Sequence, residues 1–366
     1  MDKRITIEVG FKMCDLIARA LNGSNDKYSG EDINLLFDLC CQHRVSALVS
    51  TVIDPKCDGY DRWENAFSLS VLRKTYMDLE REKLIDFFKE HNIWYLLMKG
   101  LVLEHLYPDP HLREMCDNDI LYDSKGYKLV KQFMMENGYT GEHISQEVHV
   151  DEYEKKPYFF FELHKNFFNV TRDKLASYYC RIEKFLIPVD GYEMKLSDED
   201  FYVYMIAHNY KHFIDGGTGI RSFVDCYLYN QKVNFNKKYV VHELNKLGIS
   251  DFENQFSTLA NKLFSGGVPS LNEEESEMFL YIISSGAYGT KKNYIKNQLK
   301  NADKNSYLLR RLFPPVEWYK GHVPFCYKHK WAIPFYCVYR IFDRTLKYHK
   351  RIKNEIDIVN QIDNKS

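Results

Sequence analysis

The sequence predicts an α+β fold in which a small mixed sheet lies between an N-terminal and a C-terminal helical region. Two observations support this. Apolar residues follow a helical period through the opening quarter and again after about residue 172, while short apolar and alternating runs cluster between residues 93 and 168. The predicted units are therefore 1–91, 92–196 and 197–366. A chain of 366 residues exceeds the ~100–200 usual for one domain, so two or three packed units are expected.

In the first unit Ile33, Leu36, Phe37 and Cys40 recur at three- and four-residue spacing, as do Leu72, Tyr76 and Leu79 and then Leu84, Phe87 and Phe88. Ser29 followed by Asp32 offers a cap for the first of these helices. The character changes at Ile93, where an apolar run to Met98 ends in Lys99-Gly100, the helical Leu101 to Tyr107 follows, and Pro108-Asp109-Pro110 breaks it. That order reads as strand, tight turn, helix. Residues 117–123 alternate as a second strand, 124–137 return to helix, and 157–168 form an aromatic strand with a partner near 143–151. Ser197 and Asp200 cap a helix over 198–213, Gly216, Gly217 and Gly219 interrupt it, and 220–229 resumes. Helix then dominates, with 360–366 frayed.

Composition narrows the function classes. Hydrophobic residues at 45%, with 28 Tyr and 24 Phe, supply the ring surface of a folded core and exclude a disordered chain. Fifty basic against 51 acidic residues give a formal charge of −1, so no global field draws the molecule to nucleic acid or an anionic membrane. Nine cysteines without C-x-x-C spacing read as buried thiols in a reducing compartment. The opening residues lack a signal-peptide core and no run approaches a membrane span, so a cytoplasmic location is expected.

The chemistry centres on Asp117 and Asp119. Two residues apart at the start of a strand, they share a face with their Cα atoms about 7 Å apart, a spacing that can grip one or two hard cations. Mg²⁺ is commonly held by one or two carboxylates plus substrate phosphates, so phosphoryl or nucleotidyl transfer is implied. A surface turn can also carry Asp-x-Asp. Two further features accompany it here. Lys99-Gly100 closes a strand and opens a helix, where free backbone N–H groups can receive a phosphate. Glu162 sits in the aromatic strand Phe159-Phe160-Phe161-Glu162-Leu163-His164, where a carboxylate is costly unless paired or metal-bound.

The run Leu96-Leu97-Met98-Lys99-Gly100, then Tyr107-Pro108-Asp109-Pro110, Arg113, Asp117-Asn118-Asp119 and Phe161-Glu162-Leu163-His164, resembles the bacterial uncharacterised nucleotidyltransferases related to the abortive-infection type, within the polymerase-β-like superfamily. The likeness continues through His208 to His212, Gly219-Ile220-Arg221 with Asp225, and Leu309 to Pro315. It implies that Asp117 and Asp119 bind Mg²⁺ or Mn²⁺, that Glu162 is the third carboxylate, and that Lys99 and Gly100 form the phosphate turn. The implied reaction moves a nucleoside monophosphate from a nucleoside triphosphate to an acceptor, with Glu162 activating the acceptor hydroxyl and pyrophosphate leaving. The chain departs from the pattern at Leu101, where a hydroxyl residue or glycine is usual after the turn, and at Met115 and Cys116, where a small polar residue is common.

Other residues admit two readings each. Arg113 binds phosphate or pairs with Glu114 or an aspartate. His164 shares a face with Glu162 and belongs to the cleft or the core. His208 and His212 lie one helical turn apart but lack H-E-x-x-H, and are expected to pack against the sheet. Arg221 and Asp225 have the spacing of a helical ion pair. The stretch from Lys328 to Lys353 interleaves basic and aromatic residues and is expected to form an amphipathic helix with a solvated basic face; RNA or an acidic partner is the other reading. Two functions compete: a metal-dependent nucleotidyltransferase with an unidentified small-molecule, protein or RNA acceptor, and a catalytically silent binding or regulatory module of the same fold.

Overall fold

The computed structural model describes residues 3–363 except 143, 145–148, 158, 170–172, 268, 301 and 302. Its N-terminal helices are α1 (Lys3–Leu21), α2 (Ile33–His43), α3 (Ser46–Ser50) and the long α4 (Tyr60–Glu90). Asp32 does stand at the N-cap of α2, but its carboxylate makes no cap bond. It accepts instead from Lys12 and Tyr28.

The middle of the chain alternates strands and short helices: β1 (Tyr95–Leu97), α5 (Gly100–Leu103), β2 (Asn118–Tyr122), α6 (Tyr127–Glu136), β3 (Thr140–Glu142), β4 (Val150–Lys155), β5 (Phe159–His164), α7 (Asp173–Tyr178), β6 (Ile187–Asp190) and β7 (Glu193–Lys195). Seven strands form one sheet in the order β3-β4-β5-β2-β1-β7-β6. The pairs β2–β5 and β1–β7 are parallel and the other four antiparallel, so the sheet is mixed. The expected partner of the aromatic strand is β4, which starts only at Val150; residues 143 and 145–148 of that expectation lie outside the described residues. The β6–β7 hairpin was not expected, because its strands are short and β6 is solvent-exposed, leaving no alternating pattern. Gly191, at φ +54°, makes its turn.

Among the described residues ten α-helices follow: α8 (Asp198–Ile214), α9 (Ile220–Lys232), α10 (Lys237–Leu247), α11 (Ser250–Phe264), α12 (Glu273–Ser285), α13 (Lys291–Leu299), α14 (Lys304–Leu312), α15 (Val316–His322), α16 (Pro324–Lys328) and α17 (Ile333–Asp363). As the sequence indicated, the Ser197 hydroxyl accepts from the Asp200 N–H at the start of α8. Asp198, Glu199 and Asp200 add negative charge at the positive end of that helix dipole.

Strand alternation divides the side chains between two layers. Ile120, Tyr122, Phe161 and Leu163 face α4 and α6, where the Phe88 ring stacks on Tyr95 at 5.7 Å and Tyr122 at 5.8 Å. Leu96 and Leu121 point the other way, into a core shared with Met13 and Leu48 of the N-terminal helices and Phe223, Phe256 and Phe279 of the C-terminal ones. Each such buried ring or branched chain contributes ~1.5–3 kcal/mol, so the N-terminal helices, the sheet and α8–α12 are fastened together through one apolar interior, while the helices after α12 pack in small clusters of their own. Among the described residues no helix is long and apolar enough to cross a membrane. α17 is not merely basic on its outer side: Phe335, Tyr339, Phe342 and Leu346 are 71%, 62%, 66% and 80% exposed.

Candidate active site

Asn118 fixes which way the acidic segment points. It is fully buried on the α4 side, where Arg81 Nη1 donates to its Oδ1 at 3.2 Å and its Nδ2 donates to the Met77 carbonyl at 3.4 Å. Strand alternation then turns its neighbour Asp119 to the opposite face. Asp117 stands one residue before β2, at the edge of the same cleft.

The parallel register of β2 and β5 places Asp119 beside Glu162 and Leu121 beside His164. His164 Nε2 lies 2.9 Å from Asp119 Oδ1 and 3.4 Å from Glu162 Oε2. Lys99 enters from the end of β1, its Nζ 2.5 Å from Asp119 Oδ1 and 3.3 Å from Glu162 Oε2. The Lys99 backbone is at φ +46°, ψ −115°, a sparsely populated conformation for a residue with a Cβ, maintained by the packing around it. Gly100 follows because a side chain there would collide with Arg113 Nη1 and stand 2.7 Å from Met115 Cε.

Arg113 makes the acidic pairing that was one of its two readings, with Asp225 as partner. Its Nε and Nη2 donate to the two Asp225 oxygens at 2.9 and 2.8 Å, and the Tyr107 hydroxyl donates to Oδ1 at 2.9 Å. Arg113 and Asp225 are both buried. Glu114 instead accepts from the Ser46 hydroxyl and the Ala47 N–H at the start of α3, and Arg221 donates to the Glu114 carbonyl, so the Arg221–Asp225 helical pair is replaced by two contacts across the fold. His208 and His212 do not simply pack: both border the cleft, with their Nε2 atoms 3.1 Å apart.

The electrostatics are those of crowded like charges around one cation. Burial, then the charges of Asp119 and Glu162, push the Asp117 carboxyl up to about 7. Burial also disfavours the Glu162 carboxylate, but its hydrogen bond from His164 and the charges of Lys99 and His164 outweigh that and hold it well below the usual carboxylate range. Burial similarly opposes the Lys99 ammonium, and Asp119 with the other acids overrides it, raising Lys99 well above its ordinary value. Burial, with Lys99 and His212 nearby, keeps His208 well below its own.

A divalent cation fits this donor set. One ligand atom each from Asp119, Glu162 and His164 lie within 4.8 Å of one another, with Asp117 bordering the same cleft. Oxygen donors suit Mg²⁺, and an added imidazole is tolerated better by Mn²⁺. The cluster opens into a cleft of about 390 Å³ walled by α8 and α9, which meets a second lobe of about 680 Å³ at Cys116, Asp117 and Glu162. Volumes of this size fall in the range usual for small-molecule sites. Arg44 and Tyr288, which line the second lobe, carry no local sequence signal, because both reach it through tertiary packing alone.

No curated protein and no solved structure matches the chain. A family model described as uncharacterised nucleotidyltransferase matches residues 29–265, which span α2 through α11 and the whole cleft sheet. The chain belongs to that uncharacterised nucleotidyltransferase family.

Proposed function

We propose that the cleft catalyses metal-dependent transfer of a nucleoside monophosphate from a nucleoside triphosphate to an acceptor hydroxyl, releasing pyrophosphate. The observation that carries this reading is the convergence of Asp119, Glu162, His164 and Lys99 on one point of the β2–β5 register, with Asp117 at its edge.

Asp117, Asp119 and Glu162 would hold Mg²⁺ or Mn²⁺, with His164 at hand. When bound, the cation supplies positive charge that neutralises phosphate oxygens and activates the acceptor oxygen. Lys99 adds a second positive charge at the same place and stabilises charge developing on the phosphates. The acceptor oxygen attacks the α-phosphorus, the bond to the bridging oxygen breaks, and pyrophosphate leaves with that electron pair. A carboxylate takes the acceptor's proton. Glu162, kept ionised beside Lys99 and His164, is the carboxylate proposed for that task. Arg113 and Asp225 brace the Lys99-Gly100 turn from beneath.

The test is transfer of α-³²P from each of the four nucleoside triphosphates, with Mg²⁺ or Mn²⁺, into the RNA, protein and small-molecule fractions of a cell extract. Label should appear in one fraction with release of pyrophosphate and vanish with Asp119→Asn. Tight nucleotide binding without any label transfer would support the silent binding module instead.

A further inference from the structure

Tyr288 lies beyond the residues matched by the family model, yet it borders the cleft on both sides of Asp117. Its side chain is 70% exposed, an unfavourable position for a ring with no ligand to cover it. The ring is firmly held all the same. Its hydroxyl donates to Cys116 Sγ at 2.9 Å, next to Asp117, and the Arg44 guanidinium lies over it at 5.6 Å from the centroid.

The loop that carries Tyr288 is clamped at both ends. The Ala287 N–H donates to the Gln42 carbonyl at the end of α2 at 2.8 Å, and the Thr290 N–H donates to the Gly216 carbonyl at 2.9 Å. Gly289, at φ +71°, approaches the Gly216 backbone so closely that an added Cβ would stand 2.7 Å from its carbonyl carbon. Arg44 itself adopts a left-handed conformation, φ 57° and ψ 48°, as the cap of α2. The platform is therefore set before any ligand arrives, which lowers the ordering cost of binding.

We propose that Tyr288, backed by Arg44, is a stacking platform for a nucleobase beside the carboxylate cluster. This rests on the nucleotidyl-transfer reading. A base face suits an exposed tyrosine backed by a cation, and the ring's place between the two lobes admits either the base of the donor nucleotide or the terminal base of a single-stranded RNA acceptor.

The experiment titrates three probes with Mg²⁺ into the full chain and its Tyr288→Ala and Tyr288→Phe variants: a nucleoside triphosphate with an α,β-methylene bridge, inorganic triphosphate, and a short single-stranded RNA. Tyr288→Ala should weaken a base-bearing probe about ten- to a hundredfold while inorganic triphosphate binds as before, and Tyr288→Phe should retain most of the affinity. Loss confined to the nucleotide assigns the platform to the donor, and loss confined to RNA assigns it to the acceptor. A Tyr288→Trp variant should add fluorescence that the same probe quenches. Unchanged affinity of Tyr288→Ala for both base-bearing probes, or an equal loss for inorganic triphosphate, overturns the proposal and leaves the transfer reading standing. If the wild type binds neither nucleotide nor triphosphate, the transfer reading fails and the platform with it.

Discussion

Lys99 Nζ and Asp119 Oδ1 are 2.5 Å apart, so a lysine ammonium lies against a carboxylate proposed above to hold the metal. Both side chains are largely shielded from water, at 18% and 6% exposed, which strengthens their attraction. A cation entering the cluster must share Asp119 with that ammonium.

It follows that Lys99→Met should bind Mn²⁺ several-fold more tightly than the wild type, while nucleotidyl transfer falls about a hundredfold or more. Manganese titration followed by spin resonance checks the first part, and the size of the Mn²⁺-induced rise in unfolding temperature gives an independent reading. Weaker Mn²⁺ binding by the variant would show that Lys99 supports the cation rather than competing with it.

The buried Arg113–Asp225 pair joins the segment before β2 to α9 across 112 residues. Asp225→Ala leaves the guanidinium and the Tyr107 hydroxyl without their acceptor, and should cost about 3–5 kcal/mol in urea unfolding. Replacing both partners, Arg113→Met with Asp225→Leu, should recover much of that loss. A recovery of stability together with nucleotide affinity would assign Arg113 a bracing role; recovered stability with lost affinity would assign it a phosphate contact as well.

Asn118 is a smaller case of the same kind. Asn118→Ala removes one of the two acceptors of Arg81, which keeps its ion pair with Asp78, and the donor to the Met77 carbonyl, and should cost about 1–3 kcal/mol. Because Asn118 also sets which face its neighbours occupy, divalent-cation affinity should fall in the still-folded variant.

His43 gives a pH signature far from the cleft. The Ile220 N–H donates to its Nδ1 at 3.1 Å, so the ring is neutral, and its Nε2 stands 3.2 Å from the Ile283 carbonyl. Burial holds the imidazole down at about 4, whereas in the unfolded chain it titrates near ~6.5. Between those values the unfolded state binds the proton and the folded state does not. Stability is therefore complete above about pH 6.5 and falls as pH drops toward 4, by ~3 kcal/mol in all. Urea unfolding of the wild type and His43→Gln between pH 4 and 7 should show this extra slope in the wild type alone.

The residues of the cleft that could be placed from sequence are those whose position follows from local pattern. Alternation was enough to set Glu162 and His164 on one face of their strand, and the strand-turn-helix signature located Lys99 and Gly100, but the parallel pairing of β2 with β5 that brings Asp119 beside Glu162 had no local signal. Local pattern could not identify Asp225 as the partner of Arg113, because the matching i, i+4 spacing with Arg221 offered a nearer candidate. It could not bring Tyr288 to Arg44, since nothing in either segment encodes a meeting of α2 with the loop after α12. The β6–β7 hairpin escaped for another reason: exposed strands of three and four residues carry too little burial to imprint a period. The aromatic stripe on α17 was visible as composition, but its exposure depends on which surfaces the other helices leave uncovered.

In the proposed reading Asp117 and Asp119, with Glu162, make a cation-dependent nucleotide site. Calorimetric titration of ATP, GTP, CTP and UTP, with Mg²⁺ and with EDTA, into the wild type and the Asp117→Asn, Asp119→Asn double variant tests it most directly. At least one nucleotide should bind to the wild type with Mg²⁺, and that binding should be lost in EDTA and in the double variant. Binding that persists in EDTA, or that the double variant retains in full, would contradict it.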